Sequence, residues 1–158
     1  MDGNPRHHEP QRAHLDGRLG ARARRCVLKR LPAMTAAATA PVEIRELVLP
    51  VLANHHGTLF AGQGLQLMAK AAFLAARNRA NREVVMAGAS AINFLSPIPI
   101  GYELALRAQV VRVGRSSMSV QVKGVAEKTG TPAAEVLNGA FEMVAVDAQG
   151  RPAAIDAC

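Results

Sequence analysis

An α+β domain is predicted, with one long central helix wrapped by a curved antiparallel sheet of about five strands. Two features of the sequence predict it. One is the stretch Asn54–Asn81, NHHGTLFAGQGLQLMAKAAFLAARNRAN, which starts as a polar, glycine-containing turn and becomes an alanine-rich helix. The other is a series of alternating apolar segments joined mostly by short connections. Hairpin-length links imply antiparallel pairing, and a sheet beside one amphipathic helix buries one face on the helix's apolar stripe. Such a sheet leaves edge strands open, so dimerisation by edge pairing or by side-by-side sheets is expected.

The first strand is expected over Glu43–Leu49, ended by Pro50. The helix is expected from about Gln63 to Arg77 or a little beyond. Gly57, Gly62 and Gly64 cluster before and at its start, where they permit a sharp turn and the close approach of a ligand. The first amides of a helix lack intrahelical partners and sit at the positive end of its dipole. That end suits a phosphate, a carboxylate or a developing oxyanion. Leu65, Met68, Ala72 and Ala76 form one stripe at helical spacing, widened by Ala69, Ala71 and Ala75. Gln63, Gln66, Lys70 and Arg77 lie opposite. Phe73 and Leu74 fall among them and suggest a partner subunit; the alternative is cover by a loop of the same chain.

Beyond Asn81 the pattern is that of strands. Val84–Phe94 is closed by the turn cluster Ser96–Gly101. Glu103–Val113 alternates, with Leu104, Leu106, Ala108 and Val110 against Arg107 and Gln109. Gly114-Arg115 makes a short turn. Ser117–Glu127 alternates again, Thr129–Pro132 is read as a turn, and Glu135–Val146 is the last long strand, closed by Asp147–Gly150. No internal repeat is evident.

The chain of 158 residues fits one domain with a real core. It is 49% apolar but only 3% aromatic, without Trp, so Val, Leu, Ile, Ala and Met build that core. No apolar run approaches the ~20 residues of a membrane span. Cys26 and Cys158 do not read as a disulfide framework or a metal site. A reducing compartment and a cytoplasmic location are therefore expected.

The net charge of +7 is unevenly placed. Residues 1–33 hold eight Arg/Lys against three Asp/Glu, whereas residues 34–158 hold eleven against nine. The basicity belongs mostly to the leader. Three readings of the leader compete: a basic arm for nucleic acid or anionic surfaces, a transit peptide, or an upstream start assignment with Met34 as the true first residue. Asp2, Glu9, Asp16 and the lack of serine argue against a transit peptide. The start-assignment reading is favoured, so no nucleic-acid partner is expected, and His7 and His8 are read as solvated. Residues 1–40 are accordingly a basic leader expected to be disordered, 41–152 the domain, and 153–158 a C-terminal tail.

Three segments carry a resemblance: NHHGTLFAGQGLQLM with AAFLAA, INFLSPIPIGYELALRAQVVRVGRSSMSVQV, and FEMVAVDAQGRP. In that order they resemble the hotdog-fold acyl-CoA thioesterases of the acyl-CoA hydrolase group, over about Pro41 to Pro152. The resemblance implies hydrolysis of acyl-CoA to free acid and CoA without metal or cofactor, CoA being part of the substrate. It also implies a homodimer or a trimer of dimers, with sites between subunits.

By the same resemblance, Asn54 matches a catalytic asparagine that holds the attacking water or the substrate. Gly62 matches the second glycine of a helix-start pair whose amide polarises the thioester carbonyl; Ala61 replaces the first. Arg112, Gly114, Arg115, Ser116 and Ser117 match a segment that helps hold CoA. Guanidinium forks and hydroxyls suit its phosphates; without the resemblance they would pass for a solvated hairpin turn.

One position departs from the pattern. Seven residues after the second glycine the family commonly has Asp or Glu, as general base or nucleophile; here it is Ala69. Alanine accepts no proton, and no Asp or Glu occurs from Gly57 to Arg82. Three explanations remain. The base is His55 or His56, or a carboxylate from elsewhere such as Glu83, Glu142 or one of a partner subunit. Alternatively, Asn54 and the helix end hold water unaided and turnover is slow. In the third, the protein binds acyl-CoA without hydrolysing it. A weak or rewired hydrolase is the leading reading and non-catalytic binding the alternative. A hydratase on the same fold is disfavoured, since no Asp/His pair stands in the expected loop.

Overall fold

The structure, a computed structural model, describes residues 40–155. The predicted leader, except Ala40, and residues 156–158 lie outside the described residues. The elements are β1 (Val42–Leu47), a short 3-10 helix (Pro50–Leu52), α1 (Ala61–Ala80), β2 (Val84–Phe94), β3 (Glu103–Val113), β4 (Ser117–Lys128) and β5 (Thr131–Ala145). The strands form one sheet in the order β1-β3-β4-β5-β2, with every neighbouring pair antiparallel. The predicted fold class is the one observed. No helix among the described residues is long and apolar enough to cross a membrane.

Alternation placed β3 and β4 because one face of each ladder is set by burial. Leu104, Leu106 and Ala108 of β3, Met118, Val120 and Val122 of β4, and Leu137, Phe141 and Met143 of β5 are all buried. They face the buried side of α1, formed by Gly64, Leu67, Met68, Ala71, Ala72, Ala75, Ala76 and Ala80. Burying Met68 alone contributes roughly 1.5–3 kcal/mol. Close approach needs a glycine on the sheet. A Cβ at Gly139 would lie 2.8 Å from Met68 Cε and collide with Ile92.

The helix departs from its expected phase. It begins at Ala61, and Leu65 is exposed whereas Leu67 is buried. The buried arc centres on Met68 and Ala75, so α1 is rolled toward its Leu67–Ala71 flank. Phe73 is half-buried and packs against the core of its own chain. α1 ends where Asn81 takes a left-handed φ of 49° and donates its amide to Arg77 O at 2.9 Å, a conformation asparagine tolerates.

The turn expected over Thr129–Pro132 is tighter than read. Lys128 pairs with Thr131, and Gly130 supplies the positive φ of 82°. Pro132 lies inside β5 beside a register shift, where a missing N–H costs no ladder bond. Beyond β5 the chain turns at Gly150 and comes back along the sheet end. Ala153 donates to Ala145 O and Ile155 to Arg115 O, each at 2.8 Å. Residues 153–155, assigned to a tail by the sequence, therefore stay on the domain.

The face of the sheet turned away from α1 is charged. Arg45 pairs with Glu43, Glu103 and Glu127, Arg107 with Glu43, Lys123 with Glu135, and Arg112 with Glu142. The guanidinium groups of Arg107 and then Arg45 hold the Glu43 carboxyl below its ordinary value. The edge strand β2 is different. Only Val84 along it is buried, and Val85, Met86 and Phe94 are exposed apolar residues.

Candidate functional site

The loop before α1 is built around Asn54. Asn54 N donates to Thr58 O at 2.8 Å, and Gly57 N donates back to Asn54 O at 3.0 Å. Gly57 holds a φ of 73°, which favours glycine. The Asn54 side chain closes the same loop from within. Its Oδ1 accepts from His56 N at 2.9 Å and from Thr58 N and Oγ1, both at 3.3 Å. Two backbone N–H groups on Oδ1 fix the amide's orientation, because Nδ2 cannot accept. The free end of Asn54 is therefore an NH₂ donor. It can hold the oxygen of a water or a carbonyl, and it cannot act as a base.

The loop is pinned to its surroundings. Leu59 N donates to Ile98 O at 2.8 Å, Phe60 N to Leu52 O at 2.9 Å, and Ile100 N to Gly57 O at 3.1 Å. At the start of α1, Gln63 and Gly64 donate to Phe60 O at 2.9 and 3.1 Å. The amides of Ala61 and Gly62 have no backbone acceptor among the described residues. These two exposed donors are available to a carbonyl oxygen that gains negative charge. His55 and His56 are exposed next to Asn54, with ring centroids 3.8 Å apart and planes tilted by 44°. Asn54, His55 and His56 share this loop, and Gly62 follows it in the first turn of α1.

No carboxylate joins them from the neighbouring helix. Ala69 is half-buried. Glu83 pairs with Arg77 at 3.2 Å, beyond the far end of α1. Gly62 to Ala80 alone spans roughly 27 Å of helix. Glu142 is on the charged outer face with Arg112. Neither of the two named carboxylates reaches the loop within one protomer. Glu46, in register with buried Leu104, is half-buried on the helix-facing side of the sheet. No group of three or more His, Cys, Asp or Glu that could hold a metal occurs among the described residues.

The second candidate group forms the β3–β4 turn. Gly114 N donates to Ser117 O at 2.7 Å and Ala145 N to Ser116 O at 2.8 Å, which with the Ile155–Arg115 bond makes the turn rigid. Arg112 Nε donates to Ser119 Oγ at 3.0 Å, and its other arm pairs with Glu142 at 3.3 Å. Arg115 is exposed, and no side-chain partner is described for it. Of the two arginines, Arg115 is the more available to an anion.

The two groups are far apart. The Asn54 loop is tied to Ile100, just before β3, whereas Arg115 follows the end of β3. Eleven residues of strand separate them, or roughly 35 Å. Sequence reasoning missed Thr58, whose amide and hydroxyl orient Asn54, and Phe60, whose ring lies beside Gly62. The signal for Phe60 was an aromatic residue two positions before a glycine at a helix start.

Comparison with known proteins shows the family. Residues 56–133 match the family model of the thioesterase superfamily. A protein of Zymomonas mobilis described as an uncharacterized acyl-CoA thioester hydrolase is 36% identical over 112 residues, covering 69% of this chain and 74% of that protein. A hexameric acyl-CoA thioesterase solved in its apo form superposes with a TM-score of 0.71 at 33% identity, over 73% of this chain and 74% of its own. An acyl-CoA hydrolase of Staphylococcus aureus, solved with butyryl-CoA, CoA and CoA disulfide, gives 0.70 at 28% identity, over 74% and 72%. Fold and sequence agree, and the chain belongs to the hotdog-fold thioesterase superfamily, in its acyl-CoA thioester hydrolase group.

Proposed function

We propose that this chain is an acyl-CoA thioesterase, hydrolysing acyl-CoA to a free carboxylic acid and CoA, and that it works in the cytoplasm as a homodimer or a trimer of dimers. The observation that carries the reading is the Asn54 loop. It fixes the Asn54 NH₂ as a donor, and the two free amides of Ala61 and Gly62 follow at the start of α1. The amides receive the thioester oxygen as it gains charge, and Asn54 Nδ2 holds the attacking water. His55 or His56 takes the water's proton as the C–O bond forms. The C–S bond then breaks, and CoA leaves as its thiolate.

CoA contact falls to Arg115 with Ser116 and Ser117, Gly114 shaping the turn and Arg112 lying behind it. Because that turn is roughly 35 Å from Asn54 along β3, one protomer does not offer both to one substrate. A second protomer supplies the turn. The exposed apolar edge β2 is the surface for the pairing.

The alternative, acyl-CoA binding without turnover, is favoured by Ala69 and by the lack of acid from Gly57 to Arg82. Thiol release from short-, medium- and long-chain acyl-CoAs separates the two. Release that Asn54→Ala abolishes supports the hydrolase. A silent parent that becomes active as Ala69→Asp supports the binder. No release at any chain length from either protein ends the hydrolase reading.

A further inference from the structure

We infer that Phe60 is a positioning residue for the acyl thioester, and that the glycine at position 62 lets the Phe60 ring lie against the start of α1. The inference rests on the acyl-CoA reading above. Gly62 lies within α1 and is not among the glycines with positive φ. Alanine would be a better helix former there by ~1 kcal/mol, so backbone freedom does not explain the glycine. The glycine leaves room for the neighbouring ring. A Cβ at position 62 would lie 2.5 Å from Phe60 Cε1, 3.2 Å from Cδ1 and 3.3 Å from Cζ. The ring runs along the Cα of a residue whose own amide is free.

Phe60 is held at its backbone and free at its ring. Its amide donates to Leu52, and its carbonyl accepts from Gln63 and Gly64. The residue is 54% exposed. It occupies the N-cap of α1 and makes no side-chain cap bond, at a position where Ser, Thr, Asp or Asn would stabilise the helix. An apolar ring there gives up a cap and leaves carbon in water. What it offers is an apolar wall beside two donors. A thioester needs that pair of surfaces: N–H groups for its oxygen and carbon contact for the methylenes next to it.

Four full-length proteins test this: the parent, Phe60→Ala, Gly62→Ala and the double variant. Butyryl-CoA affinity by calorimetry and steady-state thiol release are both measured. Phe60→Ala is expected to raise Kd and KM roughly tenfold, with kcat within about twofold, because a lost apolar wall removes binding common to ground and transition states. Phe60→Leu restores most of the affinity. Gly62→Ala weakens binding by pushing the ring aside, and the double variant binds no more weakly than Phe60→Ala, since the two residues act through one contact. Losses that multiply in the double variant overturn the inference. So does unchanged affinity in Phe60→Ala with only a lower melting temperature. A parent that binds butyryl-CoA without releasing thiol removes the hydrolase reading alone, and the cycle is then decided in affinity. A parent that does not bind overturns both.

Discussion

Asn54 and Arg115 stand at opposite ends of β3, the first tied to its start through the Gly57–Ile100 hydrogen bond and the second in the turn that follows its end. The strand between them is rigid, paired on one side with β1 and on the other with β4. A substrate that uses both residues therefore takes them from two chains. Arg115→Ala should raise KM for acyl-CoA roughly tenfold and leave kcat nearly unchanged, because a charge-assisted bond to a phosphate serves ground and transition states alike. Arg112→Ala should change KM less, its guanidinium being shared with Ser119 and Glu142. Steady-state kinetics on the two variants checks the order.

Asn54 has two separable jobs. Asn54→Asp keeps an oxygen for the His56 and Thr58 amides and loses the NH₂ donor. Activity should fall by roughly 10²–10³-fold, as for loss of one preorganised donor, with little change in melting temperature. Asn54→Ala loses the loop bonds as well and should lower both. Thiol release and thermal melts on the pair decide it. Equal melting losses would mean the acceptor has no structural part.

Gly139 sets the distance between α1 and the sheet. Gly139→Ala drives a methyl into Ile92 and Met68, and overpacking of this kind costs about 1–3 kcal/mol. Chemical denaturation should show that loss in the midpoint.

The Glu43 carboxyl is held below its ordinary 4.5 by Arg107 and Arg45. A depressed folded value means the ion pairs stabilise the fold above pH 4.5 and cease to do so as pH falls through the lower folded value. Glu43→Gln should remove that part of the acid-side slope and leave the alkaline side unchanged. Melting temperatures across the acid range measure it, and an identical slope in both proteins would contradict it.

How far the sequence could be read varied with the physics of each element. β3 and β4 were placed from alternation, since burial of one face fixes the phase. The roll of α1 was not, because an alanine-rich stretch gives a nearly flat apolar profile around the helix. Leu65 and Leu67 were exchanged for that reason. Pro132 was taken as a turn residue because the bulge that accommodates it is a property of pairing. At the site, Asn54 and its two histidines were legible because they are neighbours in sequence, and Gly62 because it opens the helix that follows. The choice between Arg112 and Arg115 depends on Glu142, thirty residues from Arg112, and only the sheet register makes that contact visible.

The central claim is a thioester site shared between two chains, and mixing a variant that has lost activity with one that binds substrate weakly tests it. Asn54→Ala and Arg115→Ala proteins are unfolded together, refolded at equal amounts and assayed for thiol release at acyl-CoA well below the parental KM, where Arg115→Ala alone should keep only about a tenth of parental activity. Half of the random dimers are mixed, and each mixed dimer carries one site with both residues intact, so about a quarter of parental activity should return. If the mixture is no more active than the average of its two components, both residues act within one chain and the shared site is wrong.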